Sequence, residues 1–322
     1  MLFKRLSELY DLPLPDAIQG DQRGAVNQTL FVGDDFVLTI FRNRSVEQVE
    51  LIGAITRQDD SNLLPQPIQS KNGLVSEIDG KPAILWKRIQ GSHYVETDHS
   101  QKLALSDIGH QEVASAFWRL HSSLSKHGNE ADRLGVMDYG SFMIEAQDKV
   151  KIAALPDCMH RGFALDYLAS EPLPQKYPAL VHTDMERHNI LHDTSGHVTG
   201  IVDVDAIMSG DVLFEYAHVM MNYLFTDPDY APSKADWYIE AMMDAGRIQS
   251  TDVALLPKII RSFAAEDLFY YLHNDVSRKT DLERLSQLYE AGVQRMDLYF
   301  ADLHLSHRPA VRRSVPTSFP EM

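Results

Sequence analysis

The stretch from 181 to 211 constrains this chain most, because polar residues interrupt its short apolar runs at regular places. Val181 ends one apolar run, and Asp184 and Asn189 follow it before the next run begins. A third run ends on Asp203. This alternation predicts a strand, a polar loop, a strand, a turn and a strand. Asp184, Asn189 and Asp203 would then converge at the mouth of two adjacent strands, where their oxygens suit a hard cation and proton abstraction from a hydroxyl.

The spacing inside this stretch is that of the kinase catalytic loop, in which an Asp lies five residues before an Asn. Asp184 and Asn189 have this spacing, and His182 stands where the kinase loop begins. The pattern His-x-Asp-x4-Asn alone is weak evidence in a chain with 14 His. The flanking apolar runs and the second acid, Asp203, make it specific. We therefore interpret the stretch as a phosphotransfer loop followed by a magnesium-binding hairpin.

The composition excludes several other classes of function. A net charge of −16 argues against nucleic-acid binding, which needs clustered Lys and Arg. No apolar run approaches the roughly 20 residues that span a bilayer, and residues 1–14 lack the apolar core of a signal peptide. Cys158 is the only cysteine, so an internal disulfide is impossible, as is typical of a reducing compartment. We expect a cytoplasmic protein without nucleic-acid or membrane partners, and the sequence leaves its oligomeric state open.

The first 90 residues predict a small β-rich unit with one long helix. Gly33-Asp34-Asp35 and Asp79-Gly80 are hairpin signals between strand-like runs. The predicted elements are a short helix over 1–14, a loop over 16–28, strands over 29–32 and 36–41, a helix over 46–57, and strands over 74–78 and 83–89.

After residue 100 the pattern becomes helical. We predict a helix through 113–124, a mostly helical segment over 130–180, a buried helix over 214–225, a helix over 233–246 that begins with an S-x-x-D signal at Ser233, and helices over 253–276 and 281–304.

The order of these elements predicts an α+β protein with a bilobal, protein kinase-like fold: a small antiparallel β lobe and a larger helical lobe. We assign residues 1–90 to a β-rich nucleotide-binding lobe with a hinge at 87–91. Residues 92–305 form the helical lobe for catalysis and acceptor binding, and 306–322 form a loosely ordered tail. The nucleotide is expected between the lobes, where pockets favour domain interfaces.

The chain resembles the aminoglycoside phosphotransferase/choline kinase superfamily. The segments that carry the resemblance are His182-Thr183-Asp184, Asn189-Ile190-Leu191, Val202-Asp203-Val204 and Gly210 to Ala217. Within that group it is most similar to the kinase-like bacterial homoserine kinases, through Phe36 to Ile40, Asp79 to Leu85, Gly91-Ser92-His93 and Arg119-Leu120-His121. The resemblance covers residues 25–225 and implies an enzyme that moves the ATP γ-phosphate to a small molecule.

Three residues depart from the superfamily pattern. Thr183 replaces the usual Gly, and Glu215 replaces the usual Asp. Thr39 stands where the third strand of the small lobe usually carries the phosphate-binding Lys. Homoserine kinase-like sequences resemble this one in carrying Thr there. Without the Lys, Mg²⁺ and backbone N–H groups of the 20–28 loop must hold more of the phosphate charge, and Arg42 is the alternative cation.

The loop residues receive separate roles from the motif. Asp184 is the expected catalytic base for the substrate hydroxyl. Asn189 and Asp203 are the expected Mg²⁺ ligands. His182 is expected to be structural. Asp205 is also expected to be a structural residue at the site. It would either share the metal site or cap the next loop.

A zinc site formed by His182, His188, His192 and His197 is a competing interpretation. Zinc sites are usually closed sets of Cys and His, and Cys is absent near these four residues. We therefore expect solvated histidines in a turn.

The nucleotide and the acceptor have separate candidate residues. Thr39, Asn27 and the backbone of Lys87 and Ile89 are the candidates for ATP binding, with Trp86 either lining the adenine pocket or filling the core. The acceptor candidates lie in the helical lobe, and together they form an acidic, partly aromatic set that suits an ammonium group: Asn222, Tyr223, Glu266, Asp267 and Tyr270.

The sequence supports three functional hypotheses. The first is an ATP- and Mg²⁺-dependent kinase that phosphorylates a hydroxyl of a small molecule such as homoserine or a related amino compound. The second is an aminoglycoside or choline/amino-sugar kinase. A cation facing Asp184 would favour an amino-acid acceptor, because it would pair with the carboxylate. The third is a nucleotide-binding pseudokinase or regulatory module, motivated by Thr39.

Overall fold

The computed structural model of the chain describes residues 2–10, 18–21, 27–93, 104–136, 176–273 and 279–305. At 3–4, 18–21, 265–273, 279–286 and 304–305 it describes the backbone alone. The helices are α1 Leu2–Leu9, α2 Val46–Arg57, α3 Asp107–Leu124, α4 Ala131–Leu134, α5 Val212–Val219, α6 Pro232–Asp244, α7 Leu256–His273 and α8 Lys279–Leu305. The strands are β1 Ile18–Asp21, β2 Gln28–Val32, β3 Phe36–Ile40, β4 Ser76–Ile78, β5 Lys81–Lys87, β6 Ser92–His93, β7 Pro178–Val181, β8 Ile190–His192, β9 Val198–Ile201 and β10 Met208–Asp211.

The first five strands form one antiparallel sheet in the order β1-β2-β3-β5-β4. Both predicted hairpin turns are present. Asp79 and Gly80 have positive φ angles of 51° and 77° in the two-residue turn between β4 and β5. Two positive φ angles match the right-handed twist of the flanking strands, and Asp and Gly tolerate them at low cost. The Asp79-Gly80 turn therefore determines how β4 pairs with β5.

Alternate residues of β5 face two different hydrophobic clusters. Ala83 and Leu85 pack with Leu6 and Tyr10 of the α1 region. Ile84 and Trp86 belong to the larger cluster, which includes α2. Because successive strand side chains point to opposite faces, the apolar run of β5 is buried on both sides. Each fully buried Leu or Ile contributes about 1.5–3 kcal/mol, so both faces stabilise the sheet.

Helix α2 begins and ends where the sequence predicts. Ser45 caps its N-terminus by accepting a hydrogen bond from the Gln48 N–H, and the Gln48 side chain returns a bond to the Ser45 N–H. This reciprocal capping satisfies two otherwise unpaired groups. Val49, Ile52 and Ile55 recur at helical spacing and are buried against the sheet, so the helix is held at its end and along one face.

The second half of the chain is mostly helical around one aromatic group. Phe117 and Trp118 of α3 contact Tyr216 of α5 with ring centroids 4.7 and 4.9 Å apart, and Tyr216 lies 6.3 Å from Tyr238 of α6. Tyr216 also donates a 2.5 Å hydrogen bond to the Tyr238 carbonyl. These contacts join three helices far apart in sequence, and with the small sheet they confirm the α+β class.

Two short sheets lie between these parts and carry the polar loops. Strand β7 pairs with β10, and β8 pairs with β6 and β9, all antiparallel. Pro178 and Val181 bound β7, and the catalytic-loop candidate begins directly after it. The two sheets therefore bring residues 182–189 and 202–207 to the same place in the molecule.

Several predicted boundaries were wrong. Helix α1 ends at Leu9 rather than 14, β5 is displaced toward the N-terminus, and the predicted loop 16–28 contains β1. Helix α6 begins with Pro232 as its first residue, after Ala231 without a side-chain cap, so Ser233 is not its start signal. The predicted helix over 214–225 is α5 followed by a π-helix, Met220–Phe225.

Other predictions lie outside the described residues. These are the helical segment over 137–175, Cys158, and the tail from 306. In the part of the chain that the structure describes, the helices are too short or too polar to cross a membrane.

Candidate active site

The ends of β8 and β9 bring the three predicted residues together. Ile190 pairs with Ile201, and the Val202 N–H donates to the Asn189 carbonyl at 2.8 Å. Asn189 and Asp203 therefore lie at the same end of the strand pair. The Asn189 Nδ2 donates to the Asp184 carbonyl at 2.9 Å and to Asp184 Oδ2 at 2.8 Å. The polar loop is thus closed on itself, with both carboxylates beside one carboxamide.

Two residues at this site have left-handed backbone conformations that non-glycine residues rarely adopt. Thr183 and Asp203 each have a φ of 65°. For a β-branched residue this conformation costs about 1–3 kcal/mol, whereas Gly, which the superfamily resemblance leads one to expect at 183, adopts it readily. The Thr183 hydroxyl donates to the Ala206 carbonyl at 2.8 Å. The strained residue thereby joins the catalytic loop to the turn after Asp203.

A buried carboxylate fixes the Thr183 backbone. Glu215 Oε1 accepts the Thr183 N–H at 2.5 Å, and its Oε2 lies 2.5 Å from His121 Nε2. Both Glu215 and His121 are 1% exposed. Burial alone would raise the pKa of Glu215, but the hydrogen bond and charge of His121 outweigh it and lower that pKa. Glu215 therefore stays ionised and holds the residue directly before Asp184.

Asp203 and Asp205 form a close pair of carboxylates. Val204–Ala206 is a single 3₁₀ turn, and it brings Asp205 within hydrogen-bonding distance of Asp203. The Asn27 Nδ2 also donates to Asp205 Oδ2. Burial, followed by the hydrogen bond and charge of Asp203, raises the pKa of Asp205 to about 8. Asp205 therefore lies beside Asp203 instead of capping the next loop, and Asn27 contacts it from the small sheet.

The oxygens at this point fit a hard divalent cation. Two neighbouring carboxylates repel each other when both are ionised, and a cation between them removes that penalty. The Asn189 Nδ2 is directed at Asp184, and its Oδ1 accepts no hydrogen bond from the residues that the structure describes. Asn189, Asp203 and Asp205 could therefore hold Mg²⁺ through oxygen alone, with phosphate oxygens and water completing the octahedral set that this ion prefers.

Side chains along the catalytic loop alternate between the surface and the core. Asp184, Glu186 and His188 retain 35%, 29% and 40% of their side-chain exposure. Met185, Arg187 and Asn189 are at most 4% exposed. His188 lies between its two acidic neighbours, 4.0 Å from Asp184 and 3.4 Å from Glu186. Burial and then the charge of Glu186 raise the pKa of Asp184. The exposed face of the catalytic loop therefore carries a carboxylate that is more basic than usual.

The four histidines of this region differ in their surroundings. His182 is fully buried, and its Nε2 donates to the Val202 carbonyl at 2.9 Å. His192 is also buried on β8, with Nδ1 3.2 Å from the Gly196 carbonyl. The prediction of solvated turn histidines was therefore wrong for these two, because the strands enclose them. His188 is half-buried, and His197 is exposed.

The small sheet faces the site with Thr39 on its third strand. The Thr39 hydroxyl accepts a 3.1 Å hydrogen bond from Trp86 Nε1, and Trp86 is 3% exposed in the core. Arg44 donates to the carbonyls of Leu134 at 2.6 Å and Asp205 at 2.5 Å. The Arg42 side chain is exposed, and the Arg42 backbone N–H donates to Asn27 Oδ1 at 3.1 Å. Arg44, which the sequence reasoning missed, is thus the cation that reaches the Asp205 turn.

The backbone donors of the connection after β5 differ in whether they have hydrogen-bond partners among the described residues. The Lys87 N–H donates to the Gln66 carbonyl and the Arg88 N–H to the Asp35 carbonyl, both at 2.8 Å. The Ile89 N–H has no partner in the described part of the chain. Its side chain packs against Gly200, where an added Cβ would lie 2.5 Å from Ile89 Cδ1. Of the two predicted adenine contacts, the Ile89 N–H has no hydrogen-bond acceptor among the described residues, whereas the Lys87 N–H already donates to Gln66.

The predicted acceptor residues fall into two groups. Asn222 and Tyr223 are 3% and 0% exposed inside the π-helix, so their side chains do not face a surface pocket. Their burial argues against direct contact with an acceptor, and the acceptor role of these two residues stays a prediction. Glu266, Asp267 and Tyr270 lie on α7, but their side chains are outside the part of the chain that the structure describes.

Known proteins include a family and several structures to which this chain is similar. A model of the phosphotransferase enzyme family matches residues 17–249. The GDP complex of wild-type aminoglycoside 2′-phosphotransferase-IIIa is similar with a TM-score of 0.63 and 15% identity, over 92% of this chain and 97% of that one. An aminoglycoside phosphotransferase from Alicyclobacillus acidocaldarius is similar with a TM-score of 0.64 and 11% identity, over 93% and 94%.

Macrolide 2′-phosphotransferase MphH from Brachybacterium faecium is similar with a TM-score of 0.56 and 13% identity, over 89% and 96%. The search of curated proteins gave no match. At these identities the likeness establishes the fold, and the predicted kinase-like, bilobal α+β architecture is confirmed.

Proposed function

The chain belongs to the phosphotransferase enzyme family, and we propose that it moves the γ-phosphoryl group of ATP to a hydroxyl of a small, amino-bearing molecule. The observation that carries this proposal is the closed arrangement of Asp184, Asn189 and Asp203. Asp184 accepts two hydrogen bonds from one Asn189 amide, and Asp203 enters from the adjoining strand. A base beside hard-cation ligands is what phosphoryl transfer requires, since the chemistry is mainly positioning and charge stabilisation.

Asp184 is the proposed base. Its carboxylate accepts the proton of the acceptor hydroxyl while that oxygen attacks the γ-phosphorus. The new phosphorus–oxygen bond forms as the bond to the β-phosphate oxygen breaks, and ADP leaves with the electron pair. The partial exposure of Asp184 lets an acceptor reach it, while its hydrogen bonds with Asn189 hold its direction.

The phosphate charge is proposed to be held from the side of the catalytic loop. Asn189, Asp203 and Asp205 would hold Mg²⁺, which neutralises charge on the phosphate oxygens when bound. Thr39 supplies no cation, and its hydroxyl is already bonded to Trp86. The free Ile89 N–H is the proposed donor to the base of the nucleotide. The hinge at 87–91 between lobes 1–90 and 92–305 remains part of this proposal.

The acceptor is proposed to carry an amine in preference to a free carboxylate. Glu186 lies on the same face as Asp184. One oxygen of the Glu186 carboxylate is near His188, and the other lies 3.9 Å from His218 Nε2. A partly buried carboxylate there attracts an ammonium group. Arg187, the cation of this loop, is directed into the core at Asp227 and so leaves an acceptor carboxylate without that partner. Aminoglycoside- or choline-like acceptors therefore fit better than homoserine.

Two similar structures support the choice of acceptor class. One is a kanamycin complex of an aminoglycoside 2″-phosphotransferase, and the other is a complex of spectinomycin phosphotransferase with ADP and spectinomycin. Both acceptors are hydroxylated amines. Carrying this class over to the present chain is a proposal, because these proteins are only 16% and 13% identical to it.

The competing function is a nucleotide-binding module without turnover, which the missing Lys at position 39 favours. The test is ADP release from dialysed protein with ATP and millimolar Mg²⁺, against a panel of aminoglycosides, amino alcohols and amino acids. Acceptor-dependent ADP release with an amine supports the proposal. ATP binding without any ADP release supports the module. ADP release with homoserine alone would contradict the proposed preference for acceptors that carry an amine without a free carboxylate. An absence of ATP binding would contradict both functions.

A further inference from the structure

We propose that Arg187 is a positioning residue that fixes the catalytic loop by capping the C-terminus of the helix formed by α5 and the π-helix. The inference rests on the proposed function, because it concerns the loop that carries Asp184. Arg187 lies between Asp184 and Asn189 in sequence, yet its side chain is 3% exposed and faces away from them. A buried arginine in the middle of a catalytic loop needs a physical explanation, since arginine is rarely buried without partners.

The explanation lies in the last four carbonyls of the helix, which lack intrahelical donors. Arg187 Nε donates to the Asn222 carbonyl at 2.9 Å, and its Nη2 donates to the Tyr223 carbonyl at 3.0 Å. The Asp227 N–H donates to the Leu224 carbonyl at 3.1 Å. Arg295 Nη1 donates to the Phe225 carbonyl at 2.9 Å. All four terminal carbonyls are therefore satisfied. The catalytic loop donates to two of them, and the Asn222 carbonyl also accepts the Thr226 hydroxyl at 3.0 Å, so only the Tyr223 carbonyl depends on Arg187 alone among the described residues.

The π-helix shapes this end of the helix. The Thr226 N–H donates to the Met221 carbonyl, five residues earlier, at 3.1 Å. A wider turn changes the direction of the carbonyls that follow, and π-helical turns are frequent at functional sites. A cation at a helix C-terminus also interacts favourably with the helix dipole. The backbone geometry and the charge of Arg187 thus favour the same contact.

Asp227 completes the anchor. Its Oδ2 accepts Arg187 Nη2 at 3.1 Å and the Leu105 N–H at 2.9 Å, and its Oδ1 accepts the Asp229 N–H at 2.8 Å. His110 Nε2 lies 3.6 Å from the same carboxylate. Asp227 is fully buried, so this ion pair is not screened by solvent. It ties the catalytic loop to the segment before α3 as well as to the helix end.

The anchor acts on Asp184 through the backbone of the loop. Alternation places Met185, Arg187 and Asn189 in the core and leaves Asp184 on the open face. When Arg187 is fixed at the helix end, the intervening residues have little freedom to rotate. A displacement of about 1 Å in a catalytic group costs on the order of 100-fold in rate. Arg187 therefore positions Asp184 without touching the reacting atoms.

Arg295 is a matched control, because it caps the same helix end from α8, outside the catalytic loop. The experiment compares Arg187→Met with Arg295→Met in ADP release from MgATP with water as acceptor. We expect Arg187→Met to lower kcat on the order of 100-fold while the KM for ATP stays within about threefold. Arg295→Met should keep kcat within about threefold of wild type. Equal kcat losses in the two variants would overturn the proposal.

Hydrogen exchange of the same full-length variants gives a readout without turnover. Arg187→Met should speed exchange of the Thr183 and Asn189 amides, whereas Arg295→Met should speed exchange near 225–227 only. Unchanged exchange at 183–189 in Arg187→Met would refute the positioning role. If wild-type protein releases no ADP with water or with any acceptor of the panel, the proposed function fails while this second measurement still decides the inference.

Discussion

The two sides of the candidate cleft are equipped very unequally. The catalytic loop and the turn after it present Asp184, Asn189, Asp203 and Asp205, tied together by hydrogen bonds. The small sheet presents Thr39, whose hydroxyl is engaged by Trp86. One side therefore has carboxylates and a carboxamide in a rigid arrangement, and the other lacks the expected cation at its third strand.

The difference indicates how a phosphotransferase can work without the usual Lys. If Mg²⁺ bound by the loop side neutralises the phosphates, the sheet needs only to shape the nucleotide site and supply backbone donors. The same loop side would then carry both the proton transfer and the phosphate charge. Four variants test this division, in order of decreasing expected effect.

Asp184→Ala should have the largest effect. Removing the base should lower kcat by about 1,000-fold, within the range for general base catalysis, because Asp184 is the proposed proton acceptor. ATP binding should persist, since Asp184 is not a proposed metal ligand. Steady-state kinetics with an accepted amine and calorimetric ATP binding on the same preparation measure both quantities. Turnover at the wild-type rate would remove Asp184 from the role of base.

Asp203→Asn should have the next largest effect. Loss of a metal ligand should lower kcat about 100-fold and raise the Mg²⁺ concentration needed for half-maximal activity. Asp193→Asn is the matched control, because Asp193 lies in an exposed turn and makes only local backbone contacts. The two variants are compared in Mg²⁺ titrations of ADP release. An identical Mg²⁺ dependence in both would exclude Asp203 as a ligand.

Glu215→Gln should have an intermediate effect on the loop side. It removes the charge that holds the Thr183 N–H, so we expect about a tenfold lower kcat and a loss of about 1–3 kcal/mol in the free energy of unfolding at neutral pH.

The pH dependence of stability follows from the lowered pKa of Glu215. A lowered pKa in the folded state stabilises the protein above the unfolded value of about 4.3, and this stabilisation is lost as the pH falls through the folded pKa. The difference in unfolding free energy between wild type and Glu215→Gln should therefore shrink below about pH 4. Denaturant unfolding between pH 3 and 7 measures it, and a constant difference would argue against this role.

Thr39→Val should have the smallest effect on activity. It removes the acceptor of Trp86 Nε1, so stability should fall by about 1–3 kcal/mol. The KM for ATP should change less than about threefold, since the hydroxyl is not proposed to hold a phosphate. Thermal unfolding and ATP kinetics separate the two quantities. A tenfold increase in KM would show that the sheet side holds phosphate after all.

The parts of the fold that local chemistry determines were predictable from the sequence. The turn at Asp79-Gly80, the Ser45 cap of α2 and the convergence of Asp184, Asn189 and Asp203 each depend on residues close together in the chain. The kinase-like architecture followed from the order of a β-rich unit and a helical part around the catalytic loop, and the resemblance agreed with it. The roles of the site residues remain predictions until they are tested.

The rest depends on contacts between distant segments. Glu215 and His121 are 94 positions apart, and the sequence around each residue does not predict that the two form a buried pair. Asn222 and Tyr223 were predicted to bind the acceptor as members of an acidic, partly aromatic set in the helical lobe. Their carbonyls accept hydrogen bonds from Arg187, whose guanidinium also lies 5.4 Å from the centre of the Tyr223 ring, and these contacts depend on the unpredicted π-helix.

The most direct test of the division between the two sides is the affinity for ATP with and without Mg²⁺, measured by calorimetry on the wild-type protein. If the loop side holds the phosphates through the metal, chelation of Mg²⁺ should weaken ATP binding by at least about tenfold, or about 1.4 kcal/mol. Equal affinity for ATP in the presence of Mg²⁺ and of a chelator would contradict the account.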